Sequence, residues 1–455
     1  MPGRAEWPEE ARVLRLPKRP ATRLAPLLSL LFLVGCIDLP TFLPEPDVTL
    51  RVAVPDASQA AYLAERIQSF ERANPTIQVK VFSQMSVFRG NLASGISTLV
   101  NSNDGLDVVY LTDQDFHALS DPDIFADLTP YIRETSDLQP GEFYPTALPV
   151  FQNRGRQMVL PAEMVPLVIY YNRDLFDRAS AAYPTADWTM TDFLLAAKRL
   201  TATEQKGAPA TVGFVADPML TVWPFVLAYG GEFPDPASDT SVRALTAPAT
   251  VRGFQWFVDL SLREKVMPYQ PGWRSLGLWF GGRAGMVALF MNTRNVVPAE
   301  PGRPGATPTP GPRQTWPFRW DVAMIPREAR RATIVYVAGY GIPKGAKNPN
   351  EAWQLIRYLT RTLPAQGTGS SYVPALKSLA SSAEFASLYP EAGKRAYLES
   401  IEFGYTIPVL PAAAQPGEQD LAPIFRGEVT ASQGLQRLRE KMMPAFEKWA
   451  QQQNQ

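Results

Sequence analysis

From Val48 to Leu111 the hydrophobic period of the chain changes back and forth between that of a strand and that of a helix, and few folds tolerate that alternation. Val48 to Val54 alternates as a strand does. Leu63, Ile67 and Phe70 then recur on one helical face until Asn74-Pro75 stops it, and Ile77, Val79 and Val81 alternate again. Phe88, Leu92, Ile96 and Leu99 form a second helical stripe before the apolar run Val108-Val109-Tyr110-Leu111. A β-α-β-α-β opening of this kind argues for an α/β protein with a largely parallel sheet wound by helices.

Ahead of that region lies a short apolar run that begins at Leu24 and follows Arg15, Lys18, Arg19 and Arg23. It is too short to span a membrane as a helix, and with its basic flank it reads as a secretory signal. Leu33-Val34-Gly35-Cys36 resembles a bacterial lipobox, in which the cysteine is lipidated and becomes the mature first residue. Cys36 is therefore the expected lipidation site and residues 1–35 the expected signal peptide; a buried free cysteine is the plainer alternative. The polar stretch Met1 to Arg12 is long for such a signal, which suggests a start at Val13. Residues 36–46, punctuated by proline, read as a tether.

Without residues 1–35, 420 of the 455 residues remain, more than one core usually organises, so two lobes are expected. The remaining chain carries 38 basic and 41 acidic residues, a balance of about −3 that gives no electrostatic footprint for nucleic acid. No second long apolar stretch offers a membrane span, so attachment would rest on the lipid. Cys36 is the only cysteine, which excludes an intramolecular disulfide. The single histidine, His117, supports neither a histidine-rich metal site nor a serine triad with spare candidates, and no metal or cofactor is expected. Gly281-Gly282-Arg283-Ala284-Gly285 lacks the Gly-Lys-Ser/Thr ending of a phosphate loop.

Further along, Thr189 and Asp192 form a capping-box pattern ahead of Phe193, Leu194, Ala197 and Leu200. Phe254, Phe257 and Val258 read as a helix, Val322 to Ile325 as a strand, Ile334 to Val337 as extended, and Asn350 as the start of a helix with Trp353, Ile356 and Leu359 inward. Leu435, Leu438 and Met442 mark a last helix. Residues 298–312, rich in proline and glycine without apolar periodicity, read as an exposed insertion.

The segment Leu167-Val168-Ile169-Tyr170-Tyr171-Asn172-Arg173-Asp174-Leu175-Phe176, an apolar strand running into a helix start, resembles the Tyr-Tyr-Asn-Lys-Asp-Leu-Phe signature of family 1 extracellular solute-binding proteins of ABC transporters, the maltose-binding-protein-like group. Trp188 to Phe193, Phe280 to Met286 and Gly339 to Asn348, followed by Ala352-Trp353, are similar to further segments of that family in the same order. Most of these residues read as structural. The resemblance implies a two-lobed periplasmic-binding-protein-like fold of type II, with discontinuous lobes joined by a multi-strand hinge. Carried onto this chain, the first lobe holds residues 47–163 and 287–362 and the second 164–286 and 363–455. It also implies an extracytoplasmic, lipid-anchored, non-enzymatic protein, expected to be monomeric, that delivers a carbohydrate to the permease subunits of an ABC importer. An extracellular glycosidase, whose carboxylate pair could come from anywhere in the chain, and a ligand-binding sensor lipoprotein are the alternatives.

In open α/β sheets ligands bind beyond the carboxyl ends of strands. Asp113 and Gln114 follow one strand, Ser83 and Gln84 another, and Glu163 follows Val159-Leu160-Pro161, which makes Gln84, Asp113, Gln114 and Glu163 candidates for hydrogen bonds to hydroxyls. A sugar also needs an aromatic face for its C–H patches. By resemblance, Trp223 stands where the family often places a stacking tryptophan, Tyr340 and Tyr372 lie in turns like known cleft-lining segments, and Asn292 stands at a return crossing where the family often has an aromatic.

Overall fold

The computed structural model describes residues 46–55, 57–83, 105–119, 121–203, 210–235, 242–269, 275–291, 296–297, 309–310, 316–363, 372–389, 392–408, 410 and 412–453. Cys36, Gln84, Asn292, the stripe Phe88 to Leu99 and most of the proline-rich insertion lie outside these.

The described part of the opening forms as its periodicity predicts: strand β1 (Val48–Ala53), helix α1 (Ala57–Ala73), and strands β2 (Ile77–Phe82) and β3 (Val108–Thr112). Next comes β4 (Val159–Asn172), whose 14 residues are all buried. Then follow α2 (Met190–Leu200), β5 (Val212–Val215), α3 (Pro218–Ala228), α4 (Pro248–Leu262), β6 (Ala284–Phe290), β7 (Trp320–Ala323) and β8 (Thr333–Gly341). The chain ends with α5 (Pro349–Arg361), β9 (Val373–Pro374), α6 (Arg395–Glu402), β10 (Gly404–Tyr405), α7 (Glu418–Phe425) and α8 (Ala431–Gln453). The helix read as starting at Asn350 starts one residue earlier, at Pro349, whose missing N–H is no loss at that position.

Ten strands form one sheet along the path β2-β1-β3-β8-β4-β6-β5, with β7 and β9 also on β4 and β10 on β8. Its outer pairs, β1 with β2, β1 with β3 and β5 with β6, are parallel. The centre is not: β8 runs antiparallel to both β3 and β4, and β4 runs antiparallel to β6, β7 and β9. The expectation of a largely parallel sheet therefore holds at its flanks and fails in the middle, where long strands pass from one region to the other and back.

β4 is that passage. Residues 159–166 pair with β8, and residues 167–171 with β6. The change of partner falls between Pro166 and Leu167, and Pro166 has no N–H to give a ladder. Because both faces of β4 are covered, its sequence is nearly continuous in apolar residues instead of alternating. Glu163 is its single carboxylate.

Local chemistry sets the joints around this strand. Asn172 ends β4 and caps the helix Arg173–Arg178 by accepting from the Leu175 N–H at 3.1 Å. Thr189 and Asp192 make the capping box of α2 as read, with the Asp192 N–H donating to Thr189 Oγ1 at 3.2 Å and the Thr189 N–H to Asp192 Oδ2 at 2.8 Å, a cap worth about 1 kcal/mol. Gly282, at φ +67°, makes the left-handed turn that feeds β6. No described helix is long and apolar enough to cross a membrane.

Candidate functional site

Two polar clusters flank β8, and between them they contain five of the residues singled out from the sequence. The first lies at the carboxyl end of β3. Thr112 caps the helical turn Asp113–His117, and Asp115 completes the box by accepting from the Thr112 N–H at 2.9 Å and its hydroxyl at 2.7 Å. This turn buries Asp113, at 2% exposure, and leaves its neighbour Gln114 exposed. Asp113 Oδ1 accepts from the Val337 N–H of β8 at 3.3 Å. Among the described residues no lysine or arginine pairs with Asp113. Burial pushes its carboxyl up to about 7; the backbone N–H groups of Val337, Gln114 and Asp113 itself oppose the rise, and the nearby Asp115 adds to it.

Beside this carboxyl, Tyr336 of β8 stacks on Phe290 at the end of β6, with ring centroids 4.4 Å apart and planes at 27°. Burial and the Asp113 charge push the Tyr336 phenol up to about 12, while a hydrogen bond with Gln114 acts the other way. The cluster thus joins three sheet strands: β3 through its end, β8 and β6.

Trp223 sits on α3, which packs against β8. Its helix starts at an Asp217 cap that accepts from the Met219 N–H at 3.1 Å. At the other end Arg330 donates from Nε to the Leu227 carbonyl at 2.7 Å and from its backbone N–H to the Ala228 carbonyl at 3.1 Å, while its guanidinium lies 5.0 Å from the Tyr405 ring centroid. Trp223 is 8% exposed and rests on Phe233, at 4.9 Å, and Phe254, at 6.5 Å. The ring is therefore part of the core.

The second cluster is interior. Glu163 is 4% exposed, and its Oε2 accepts from the Tyr110 hydroxyl at 2.8 Å. Arg66 of α1 places Nη2 3.6 Å from Glu163 Oε1, and its Nη1 donates to the Leu359 and Thr362 carbonyls at 3.1 and 3.2 Å, which caps the end of α5. The guanidinium lies 4.5 Å from the Tyr62 ring centroid. Tyr62 in turn packs on Tyr372 at 5.6 Å, and Tyr110 meets Tyr340 edge-on at 5.4 Å. Burial pushes the Glu163 carboxyl up, with Arg66 and the Tyr110 hydroxyl holding against it. For Arg66 burial acts downward, but Tyr62, Tyr340 and Glu163 together outweigh it and raise the guanidinium's affinity for its proton.

An irregularity in the sheet builds this cluster. The β4–β8 register slips between Ala338 and Gly339, leaving Ala162 as an extra residue just before Glu163. The backbones approach so closely there that a Cβ on Gly339 would lie 2.2 Å from the Leu160 carbonyl oxygen. Only glycine fits.

Asp113 and Gln114 accordingly lie just past the carboxyl end of β3 and Trp223 on α3, whereas Glu163 and the fully buried Tyr340 lie inside, with Tyr372 half-buried. Sequence reasoning missed Tyr336, Phe290, Tyr62, Tyr110 and Arg66. Arg66 was the most visible of these, since a charge falls between Leu63 and Ile67 inside the apolar stripe of α1. Phe290 supplies, two residues before Asn292, an aromatic at the return crossing.

The model of the family described as bacterial extracellular solute-binding protein matches residues 54–362. Among solved structures, an ABC substrate-binding protein of Listeria monocytogenes in complex with cycloalternan is 21% identical at a TM-score of 0.65, covering 87% of this chain and 98% of its own. The maltose–maltodextrin binding protein of Alicyclobacillus acidocaldarius is 17% identical at 0.64, covering 87% and 99%, and UgpB of Mycobacterium tuberculosis in complex with glycerophosphocholine is 16% identical at 0.67, covering 88% and 99%. No curated protein sequence matches. The fold is that of the two-lobed type II periplasmic binding proteins, as the sequence resemblance implied. With its model matched over more than half of the chain, the protein belongs to the bacterial extracellular solute-binding protein family.

Proposed function

We propose that the protein is the lipid-anchored substrate-binding component of an ABC importer, capturing a carbohydrate between two lobes and handing it to the permease. The observation that carries this reading is the cluster at the end of β3: a buried carboxyl without a cationic partner among the described residues, an exposed amide beside it, and an aromatic pair, Tyr336 of β8 on Phe290 of β6. Hydroxyls need directed acceptors and donors, and the C–H face of a pyranose needs a ring. Asp113 and Gln114 would supply the first, and Tyr336, with Trp223, the second.

The lobes would be residues 47–163 with 287–362, and 164–286 with 363–455, with β4 and β6 as continuous crossings. Such crossings allow a hinge rotation while restricting other motions, and a ligand touching both lobes stabilises the closed form. Cys36 would carry the lipid that keeps the protein at the outer face of the membrane. A micromolar Kd, about −8 kcal/mol, suits a cleft that must also release its cargo.

Titration calorimetry against mono- and oligosaccharides, polyols and glycerophosphodiesters tests the reading. At least one sugar should bind, and Gln114→Ala, which removes an exposed side chain at little structural cost, should weaken that binding about tenfold, the effect of one lost hydrogen bond to a buried ligand. Exclusive binding of a glycerophosphodiester would overturn the carbohydrate assignment. Full affinity in Gln114→Ala would move the site away from β3.

A further inference from the structure

We infer that the interior of the protein holds a binding site for one water molecule, which bridges Arg66 and Glu163. Their facing atoms, Nη2 and Oε1, stand 3.6 Å apart, beyond direct hydrogen-bond distance, and among the described residues neither has a partner within that distance. Both side chains are about 5% exposed, so bulk solvent does not complete them. Between them and the end of α5 lies a cavity of about 20 Å³, lined also by Thr360, Tyr62, Tyr372 and Leu359. That volume accepts about one water, whose centre needs roughly 10–15 Å³. Thr360 is 2% exposed and its Oγ1 is a further buried atom without a partner, as is Arg66 Nε. Three side chains with unanswered polar atoms thus line a cavity of one-molecule size, and a buried water typically makes about three hydrogen bonds.

The chemistry selects the occupant. Arg66 offers only N–H donors, and Glu163 Oε1 as a carboxylate only accepts. A halide would suit Arg66 and be repelled by Glu163; an ammonium ion would suit Glu163 and be repelled by Arg66. A neutral molecule of one heavy atom that accepts and donates at once answers both. It would join α1, the end of α5 and the first half of β4, the three elements that meet in front of β9.

A crystal structure at about 1.5 Å, with a second crystal soaked in bromide, tests this. The expected result is a peak about 2.7–3.2 Å from Arg66 Nη2, Glu163 Oε1 and Thr360 Oγ1, with no anomalous signal from bromide. Thr360→Val should lower Tm by about 2 °C, because the water loses a partner; at a dry site the same change removes an unsatisfied hydroxyl and leaves Tm equal or higher. A direct Arg66–Glu163 contact without a peak, a bromide signal at the position, or an equal or higher Tm in Thr360→Val would each overturn the inference.

Discussion

Asp113 and Glu163 are both buried carboxyls within reach of β8, yet their surroundings differ in kind. Glu163 faces a guanidinium and the Tyr110 hydroxyl, so its charge is answered from inside the protein. Asp113 faces backbone N–H groups, Tyr336 and Asp115, and burial moves its carboxyl to about 7. A carboxylate that the fold neutralises belongs to the scaffold. One that the fold buries without a counter-charge costs stability, and such groups concentrate at functional sites. The difference fits Glu163 to holding the crossing strand and leaves Asp113 as the carboxyl that the proposed function would give to the ligand.

The largest effect should come from breaking the first arrangement. Arg66→Met keeps the volume of the stem but leaves Glu163 buried without its cation and the carbonyls of Leu359 and Thr362 without a donor. A loss of about 3–5 kcal/mol is expected in urea unfolding near pH 8. The loss should shrink as pH falls, because Glu163, already raised by burial, can take a proton instead. Adding Glu163→Gln should return part of the stability, which a double-mutant cycle measures. A loss below about 1 kcal/mol, or no gain from the second substitution, would remove the distinction between the two carboxyls.

Asp113→Asn probes the other side and should act in the opposite direction. A carboxyl raised from 3.8 to about 7 binds its proton more tightly folded than unfolded. Its contribution to stability is therefore fully present below about pH 4 and lost as pH rises through about 7. The asparagine keeps an acceptor for the Val337 N–H and carries no charge, so near pH 8 the variant should be the more stable protein, by on the order of 2 kcal/mol, with the difference vanishing towards pH 4. Melting curves of both proteins between pH 4 and 8 check this. Raised Asp115 and Glu163 slope the same way in both proteins, so the difference between them isolates Asp113.

This contrast also marks what could be read beforehand. The βαβ opening, the capping box at Thr189, the polar turn after β3 and the family motifs were legible, because each rests on contacts within a few residues. The antiparallel centre of the sheet was not, since the pairing of β8 with β3 and β4 joins residues more than 150 positions apart and no local period encodes it. Glu163 looked like a ligand residue because it follows a strand-like run. Its strand in fact continues through Pro166 to Asn172, and the register slip at Ala162 lies just before it. Its partner Arg66 comes from a helix nearly a hundred residues earlier. Tyr336 and Phe290 carry no local signal that pairs them, and their stacking depends on both of their strands flanking β4.

A third class of carboxylate completes the comparison and should give the smallest effect. Asp174 and Asp177, in the helical turn after β4, share Arg319: its Nε donates to Asp174 at 2.6 Å and its Nη2 to Asp177 at 2.7 Å, and its backbone N–H also donates to Asp174, at 3.0 Å. By distance these are the tightest ion pairs of the three arrangements, and both carboxyls are held below their ordinary range, Asp174 chiefly by the Arg319 backbone N–H and Asp177 chiefly by Tyr183, then Arg319. But the Arg319 side chain is 62% exposed, so water and salt answer its charge nearly as well as the aspartates do. Arg319→Ala also leaves the backbone hydrogen bond in place. Its Tm should fall by less than about 2 °C, and the fall should fade in 0.5 M salt, whereas the Arg66→Met loss should persist there because a buried pair is screened little. If the short exposed pairs proved worth more than the longer buried one, distance rather than desolvation would rank the carboxylates of this protein, and the separation of Asp113 from Glu163 would lose its physical basis.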